Sequence, residues 1–267
     1  MNLLEYKQFA VETAKKAGEE LLKFYGKLSS VESKSTQIDL VTIADTSSEK
    51  LILEQIHSVY PNHDIITEES HIDQKHSDFR WVIDPLDGTT NYVHTLPIFA
   101  VSIGLQYKEE TIVGVVYNPV YEKCFSATKG SGAFLNDDII TVSSVDQFSD
   151  SLLVTGFPYK HDKFWHDSFE LFHDLYGRCQ GIRRLGAAAL DFCYVAMGRF
   201  DGFYEFGLKP WDICAGSLIV SEANGLVSDW NGSKALDSGT RILACSNIEI
   251  HKNMVNILSK NKYKLFF

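Results

Sequence analysis

The chain has 267 residues, of which 45% are hydrophobic and 22% are charged, and these values are ordinary for a globular protein with a sizeable core. Its formal net charge of −10 argues against a nucleic-acid partner, which would favour a basic face. An acidic chain that handles an anionic substrate needs cations to invert its local field.

The cysteine usage and the hydropathy pattern bear on the cellular compartment. Five cysteines are scattered without a C-x-x-C pair, which favours reduced thiols over disulfides or a zinc site. The N-terminus carries Glu5 and Glu12 within its apolar pattern and does not resemble a secretory signal. No stretch approaches the roughly eighteen apolar residues of a membrane span. We therefore expect a cytoplasmic protein without a membrane partner.

The first element is predicted to be a helix over residues 3–25. Ala10, Ala14 and Leu21 share one helical face, and Gly26 follows as a stop. A second helix is predicted to begin near Thr46, because Thr46 and Glu49 match the S/T-x-x-E capping box.

Strands are predicted after the second helix, which Pro61 ends. Residues 64–67 and 81–84 read as short strands. The apolar runs 98–107 and 111–119, joined by a polar turn, read as a strand pair that residues 123–128 continue. This succession indicates an antiparallel or mixed sheet.

The second half alternates strands with helices. We predict strands at residues 151–156, 181–185, 200–206 and 241–246, and helices at 166–177, 186–198, 211–225 and 250–260, with Gly225 stopping the third of these helices. A change of composition near residues 143–150 marks a boundary between an N-terminal α+β half, 1–145, and a C-terminal α/β half, 146–267. The pattern predicts a layered α/β fold with two mixed or antiparallel sheets.

Carboxylates stand where several apolar elements end, and they are Asp45, Glu68, Glu69, Asp84, Asp87 and Asp212. Such junctions commonly carry active sites. Asp45 could instead cap a helix, and Asp212 could lie in a first helical turn, where an acid is favoured. The pair Glu68 and Glu69 could simply be solvated.

Asp84 and Asp87 are harder to explain as structural residues. Two acids three positions apart around Pro85 repel each other unless a cation lies between them. Oxygen ligands suit Mg²⁺, and two or three such ions about 3.5–4 Å apart activate water and neutralise a leaving oxygen. Gly88 and Thr89 would offer backbone N–H groups and a hydroxyl to a phosphate.

Four segments together resemble the inositol monophosphatase family of Mg²⁺-dependent, lithium-sensitive sugar-phosphate phosphatases. They are "DLVTIAD" at residues 39–45, "TEES" at 67–70, "WVIDPLDGTTNY" at 81–92 and "WDICAG" at 211–216. They occur in the family's order and spacing, so the resemblance covers essentially the whole chain. It implies a layered αβαβα sandwich, two or three Mg²⁺ ions in each active site, and a homodimer.

The resemblance also implies roles for individual residues. Glu68, Asp84 and the Leu86 carbonyl would bind one Mg²⁺, and Asp84, Asp87 and Asp212 would bind a second. Glu68 with waters would help to hold a weaker third ion.

The remaining implied roles concern water and substrate. Thr89, paired with Asp45, would orient and deprotonate the attacking water, and Gly88 with Thr89 would donate to the phosphate. Residues implied to contact substrate are Asp87, Gly88, Thr89, Gly186, Ala188, Glu205 and Asp212. Lys34 and Glu69 would support the site. Thr67 is a departure, since the family commonly has Gly before the Glu pair.

Several readings of the function stay open. The favoured reaction is hydrolysis of inositol monophosphate or a similar small sugar phosphate by direct attack of water. Fructose 1,6-bisphosphate, NADP and histidinol phosphate are alternative substrates for the same metal chemistry. An aspartyl-phosphate mechanism and a non-catalytic regulatory protein that kept a metal site are rivals. His94 is more typical of a structural or exposed residue than of a ligand, and His161 and His166 are more typical of exposed loop residues than of substrate contacts.

Overall fold

The computed structural model describes residues 2–27, 32–33, 40–70, 74–160, 162–233 and 241–260. Its helices are α1 (Leu3–Phe24), α2 (Ile43–Val59), α3 (Thr89–Val93), α4 (Lys163–Tyr176), α5 (Ala188–Ala196), α6 (Pro210–Glu222) and α7 (Ile248–Leu258), with a 3₁₀ turn at Phe148–Asp150. Its strands are β1 (Glu32–Ser33), β2 (Leu40–Val41), β3 (Asp64–Thr67), β4 (Phe79–Asp87), β5 (Ala100–Tyr107), β6 (Glu110–Asn118), β7 (Lys123–Thr128), β8 (Ala133–Leu135), β9 (Asp138–Ile140), β10 (Leu152–Thr155), β11 (Gly181–Arg183), β12 (Gly202–Phe206), β13 (Leu226–Ser228) and β14 (Arg241–Cys245).

Two mixed sheets organise the fold. The larger sheet has the order β3-β4-β5-β6-β7-β8-β9 and is antiparallel except for the parallel pair β3 and β4. The smaller sheet has the order β11-β10-β12-β14-β13, with β10 parallel to both of its neighbours. Strands β1 and β2 form a separate antiparallel pair.

Three apolar cores hold the five layers of the fold together. Helices α1 and α2 cover one face of the larger sheet. Helices α5 and α6 fill the space between the two sheets, and α4 and α7 cover the outer face of the smaller sheet. Because each helical layer buries an apolar face against a sheet, the molecule is the predicted layered αβαβα sandwich.

Helix α2 begins one turn earlier than the sequence pattern predicts. The Oγ1 of Thr42 accepts from Ala44 N at 3.1 Å, and Asp45 Oδ2 accepts from Thr42 N at 2.8 Å. This reciprocal pair is the capping box, so the prediction that Thr46 and Glu49 form it was wrong. Thr42 and Asp45 cap the helix one turn earlier, and Glu49 makes contacts elsewhere.

Helix α6 packs closely on the larger sheet. A Cβ added to Gly114 would lie 2.6 Å from the Ala215 carbonyl oxygen, so the absence of a side chain there lets the helix approach the strands. The helix ends at Glu222, and Asn224 takes the left-handed conformation with φ of +69°. The predicted stop at Gly225 was therefore one residue late.

Other expectations can be compared with the fold. The strands of the larger sheet come from residues 64–140 and those of the smaller sheet from 152–245; the boundary near 143–150 stays a prediction, since α6 packs on the larger sheet. All five cysteines are free. Among the described helices, none combines the length and the apolar character that crossing a membrane requires.

Candidate active site

A β-bulge at the end of β4 brings two aspartates to the same side. Asp84 is opposite Ser102 on β5, whereas Asp87 is opposite Ala100. Three steps along β4 thus match two along β5. Residues three apart in a regular strand point to opposite faces, and one extra residue restores the same face.

Helix α6 supplies a third carboxylate. Asp212 lies in its first turn, where its Oδ2 accepts a hydrogen bond of 2.6 Å from Lys209 N. Carboxylate oxygens of Asp84, Asp87 and Asp212 all lie within 4.8 Å of one another. Asp84 and Asp87 are buried and Asp212 is half-buried.

Burial, together with repulsion by nearby acids, raises the pKa values of these three acids. Burial, and then the charges of Glu68, Asp87 and Asp212, raise the pKa of Asp84 well above its usual range. Burial raises the pKa of Asp87 to about 7, although the Ala189 backbone N–H opposes the shift. Burial also raises the pKa of Asp212. A cluster of buried oxygen donors that repel one another fits a hard divalent cation such as Mg²⁺.

Asp87 has a second bonding role at the start of α5. Its Oδ1 accepts from Ala188 N at 3.1 Å, and its Oδ2 accepts from Ala189 N at 2.9 Å. These N–H groups are among the donors that a helix leaves unpaired at its N-terminus. The carboxylate therefore holds α5 against the end of β4.

Thr89 and Asp45 form the predicted pair. Thr89 Oγ1 lies 3.1 Å from Asp45 Oδ1 and also 3.1 Å from the Leu86 carbonyl oxygen. Asp45 is only 1% exposed. Burial raises its pKa, while two hydrogen bonds from Thr42 oppose that shift. The structure brings the pair together and buries the acid that would receive a proton.

Glu68 follows β3 and lines the cleft beside the aspartates. Its side chain hydrogen-bonds with that of Asp84. Glu69 is half-buried, and its backbone N–H donates to Glu49 Oε1 at 3.2 Å. Lys34 lies outside the described residues.

A cleft with a volume of about 490 Å³ is lined by the carboxylates of Glu68, Asp84, Asp87 and Asp212. Gly186, Ala188 and Glu205, the predicted substrate contacts, all line it. Lys160, Arg184 and Lys209 line it too and were missed from the sequence. Arg184 lies two residues before Gly186, and Lys209 lies three residues before Asp212. Their closeness in sequence to predicted site residues could have indicated that they line the cleft.

Glu205 sits against a glycine in this cleft. A Cβ on Gly156 would overlap the Glu205 carboxylate. Burial raises the pKa of Glu205 to about 8, Arg184 opposes the shift, and Asp87 adds to it. A carboxyl group held here can hydrogen-bond to the hydroxyl groups of a sugar or polyol.

Gly88 and Asn91 pack against Ile98 and against the segment that precedes α5. Gly88 has φ of +89°, and a Cβ there would lie 2.9 Å from the Ile98 carbonyl oxygen, so glycine is required for both conformation and space. Asn91 Nδ2 donates to the carbonyls of Ile98 and Leu185, each at 2.8 Å.

Of the three histidines considered in the sequence, His94 and His166 are not among the described residues that line the cleft. His94 and His166 are exposed, as the sequence predicts. His166 is the fourth residue of α4, where its ring contacts Trp165. His161 lies outside the described residues.

Comparisons with known proteins identify the family of the chain. The model of the inositol monophosphatase family matches residues 2–263. Nus factor SuhB from Pasteurella multocida is 46% identical over 243 residues, which are 90% of this chain and 91% of that protein. Inositol-1-monophosphatase from Synechocystis is 42% identical over 259 residues, which are 97% of this chain and 90% of that protein.

A solved structure shows the same fold. The IMPase/NADP phosphatase complexed with Mg²⁺ and phosphate has a TM-score of 0.86, covering 98% of this chain and 97% of that one, at 22% sequence identity. The family model spans nearly all of the chain and contains every described element. The chain belongs to the inositol monophosphatase family.

Proposed function

We propose that this protein is a Mg²⁺-dependent phosphomonoesterase that hydrolyses inositol monophosphate or a similar small sugar phosphate. The observation that carries the proposal is the convergence of Asp84, Asp87 and Asp212 within 4.8 Å, next to the pair Asp45 and Thr89. Family membership supports a phosphatase, and the Synechocystis relative is an inositol-1-monophosphatase by name.

The residues present fit a divalent cation. Three carboxylates with raised pKa values meet at the bulge, and they give the all-oxygen donor set that Mg²⁺ prefers. Asp84, Asp87 and Asp212 would hold the ions together with Glu68 and the Leu86 carbonyl. A divalent cation held by these residues would supply positive charge for the substrate phosphate and would lower the pKa of a bound water.

Thr89 and Asp45 would position and deprotonate the attacking water. The Thr89 hydroxyl has one hydrogen to donate and lone pairs that accept. When it donates to Asp45 Oδ1 at 3.1 Å, it can accept a proton from water, and the proton passes on towards the buried carboxylate. The water oxygen would then bond to phosphorus as the ester P–O bond breaks, and the leaving ester oxygen would take a proton from a solvent water, so that the sugar departs as an alcohol.

The substrate would lie across the cleft. Backbone N–H groups of Gly88 and Thr89 would donate to the phosphate, and the carboxyl group of Glu205 would hydrogen-bond to hydroxyl groups of the sugar. Gly186 and Ala188 line the same cleft as Glu205, and their small size would leave room for the sugar or inositol ring. Fructose 1,6-bisphosphate, NADP and histidinol phosphate remain alternatives, because the same centre serves any small phosphomonoester.

The Pasteurella relative is named Nus factor SuhB, a name that designates a factor and not an enzyme. For this chain the catalytic proposal is favoured, because binding a protein partner does not call for a buried Asp45 hydrogen-bonded to Thr89. A homodimer and sensitivity to lithium are further parts of the proposal that rest on the family resemblance, and a cytoplasmic location is a part that rests on the cysteine usage and the hydropathy pattern.

A phosphate-release panel tests the proposal. The purified chain is assayed with inositol 1-phosphate, fructose 1,6-bisphosphate, histidinol phosphate and NADP⁺, each with Mg²⁺ and with a chelator. We expect Mg²⁺-dependent release, fastest with a sugar or inositol monophosphate. An absence of turnover on every substrate would leave the regulatory reading, and a trapped aspartyl phosphate would contradict direct attack by water.

A further inference from the structure

One face of α2 contacts three separate segments of the site. Asp45, Ser48 and Glu49 are three and four positions apart and so share a helical face. Asp45 bonds Thr89 at 3.1 Å, and Ser48 Oγ donates to the Pro85 carbonyl at 2.9 Å, within the bulge between Asp84 and Asp87. The third contact, made by Glu49, reaches the turn that carries Glu68.

Glu49 accepts hydrogen bonds from residues that lie on both sides of Glu68 in the sequence. Its Oε1 accepts from Thr67 Oγ1 at 2.5 Å, from Glu69 N at 3.2 Å and from Ser70 N at 2.9 Å. Thr67 is the last residue of β3, and the other two donors follow Glu68 directly. The side chain of Glu49 is itself buried, with 6% of the residue exposed.

These contacts are strong constraints on the turn. Hydrogen bonds to a charged acceptor are shorter and stronger than neutral ones, and a buried acceptor has little water to exchange them with. Two of the three donors are backbone N–H groups, so they fix the chain path on the C-terminal side of Glu68. The hydroxyl of Thr67 fixes the N-terminal side.

We infer that Glu49 is a positioning residue that holds Glu68 beside Asp84 and thereby sets the affinity of the site for Mg²⁺. The inference rests on the proposed function, since it gives Glu68 a place among the metal ligands. Among the described residues, Glu49 is neither part of the cleft lining nor a member of the three-aspartate cluster. It acts through the turn, and α2 aligns the turn, the bulge and Thr89 with one another.

A purely structural Glu49 would behave differently. Its loss would lower the melting temperature and the yield of folded protein, while the folded fraction would bind metal normally. A positioning Glu49 changes metal affinity in folded protein and leaves the maximal rate at saturating Mg²⁺ largely intact. The two roles therefore separate in a metal titration.

The test uses Glu49→Ala and Glu49→Gln in the full chain. Alanine removes all three bonds, whereas glutamine keeps a neutral acceptor oxygen and rescues part of the effect if the position of the turn matters. Glu54→Gln is the matched control, because Glu54 lies on the same helix with its side chain 67% exposed. Binding is measured without substrate by electron paramagnetic resonance of Mn²⁺, and activity is measured as the Mg²⁺ concentration for half-maximal rate.

We expect Glu49→Ala to weaken Mn²⁺ binding and to raise the half-activating Mg²⁺ concentration by about tenfold or more, a size typical of residues that orient metal ligands. Glu49→Gln should lie between this variant and the wild type, and Glu54→Gln should match the wild type. Unchanged Mn²⁺ and Mg²⁺ titrations in folded Glu49→Gln and Glu49→Ala would overturn the inference while the wild type still binds and hydrolyses. A wild type that neither binds Mn²⁺ nor releases phosphate would overturn the proposed function as well.

Discussion

Asp87 Oδ2 accepts a hydrogen bond of 2.9 Å from the backbone N–H of Ala189, 102 positions further along the chain. The same carboxylate has an oxygen within 4.8 Å of carboxylate oxygens of Asp84 and Asp212. It therefore joins the start of α5 to the acidic cluster. Removing it affects both the packing of the two halves and the proposed metal site.

Without metal, Asp84→Asn should be more stable than Asp87→Asn. Each removes one charge from a repelling cluster, which is stabilising. The Oδ1 of Asp84 accepts a hydrogen bond from the nearby Leu86 N–H, whereas the Asp87 carboxylate accepts two from the distant backbone N–H groups of Ala188 and Ala189. Bonds to charged groups contribute about 1.5–3 kcal/mol.

Thermal melts in a chelator measure the difference. We expect Asp84→Asn to melt above the wild type and Asp87→Asn to melt below Asp84→Asn. Both variants should lose turnover in Mg²⁺. Equal melting temperatures for the two variants would show that the contact with α5 adds no stability.

Glu205 should make the stability depend on pH. Burial raises its pKa to about 8 from an ordinary value of 4.5, so the folded state keeps a proton that the unfolded chain has released. The stabilisation is complete below about pH 4.5 and is lost as the pH rises through 8. Glu205→Gln has no such proton to release.

Urea unfolding between pH 5 and 9 in a chelator compares the wild type with Glu205→Gln. The free energy of unfolding of the wild type should fall more steeply with pH than that of the variant. Glu54→Gln, on an exposed side chain, should follow the wild type. Parallel curves for the wild type and Glu205→Gln would contradict the assigned shift.

Gly156→Ala should impair recognition of the sugar. The added Cβ overlaps the Glu205 carboxylate, which must move away from the wall of the cleft. We expect the KM for inositol 1-phosphate to rise about tenfold or more, since small misplacements carry large kinetic effects. The KM for p-nitrophenyl phosphate, which lacks sugar hydroxyls, should change little.

Gly177→Ala is the control for this substitution. Gly177 has φ of −73°, and a Cβ there would come only within 3.9 Å of the His173 carbonyl oxygen. It should leave both KM values unchanged. Equal KM increases for the two substrates in Gly156→Ala would indicate general damage to the cleft and not a lost sugar contact.

Thr89→Ala should lower kcat and leave metal affinity alone. Its hydroxyl bonds Asp45 and the Leu86 carbonyl, and its proposed work is to hold water. The loss of one general-base relay typically lowers the rate about 10²–10⁴-fold. Thr89→Ser keeps the hydroxyl and should retain most activity, while a Mn²⁺ titration should be unchanged in both variants. Near-normal kcat in Thr89→Ala would remove it from the relay.

Regular patterns made much of the fold predictable. The 3.6-residue spacing of Ala10, Ala14 and Leu21 gave α1 within one residue at its C-terminal end. Apolar runs with a polar turn predicted β5 and β6, whose turn residues Lys108 and Glu109 both have positive φ. Short elements such as β8, β9 and β13 were not predicted, because three residues carry too little periodicity.

The site was predictable where its residues follow apolar elements. Asp84 and Asp87 lie on the same side of the sheet because a bulge separates them. The sequence does not reveal this bulge, since a single extra residue leaves no recognisable pattern. The role of Glu49 was misassigned, since the sequence offers two successive capping boxes, Thr42 with Asp45 and Thr46 with Glu49, and the structure forms the first. The bond from Asp87 to α5 joins residues too distant for any local pattern.

The most direct test of the account is phosphate release from inositol 1-phosphate by the wild type and Asp212→Asn, each titrated with Mg²⁺. The account predicts that the wild type is active only with Mg²⁺ and that the variant, lacking one carboxylate of the cluster, stays at background at every concentration. Turnover by the wild type in a chelator, or near-normal turnover by Asp212→Asn, would contradict a metal site built on these three aspartates.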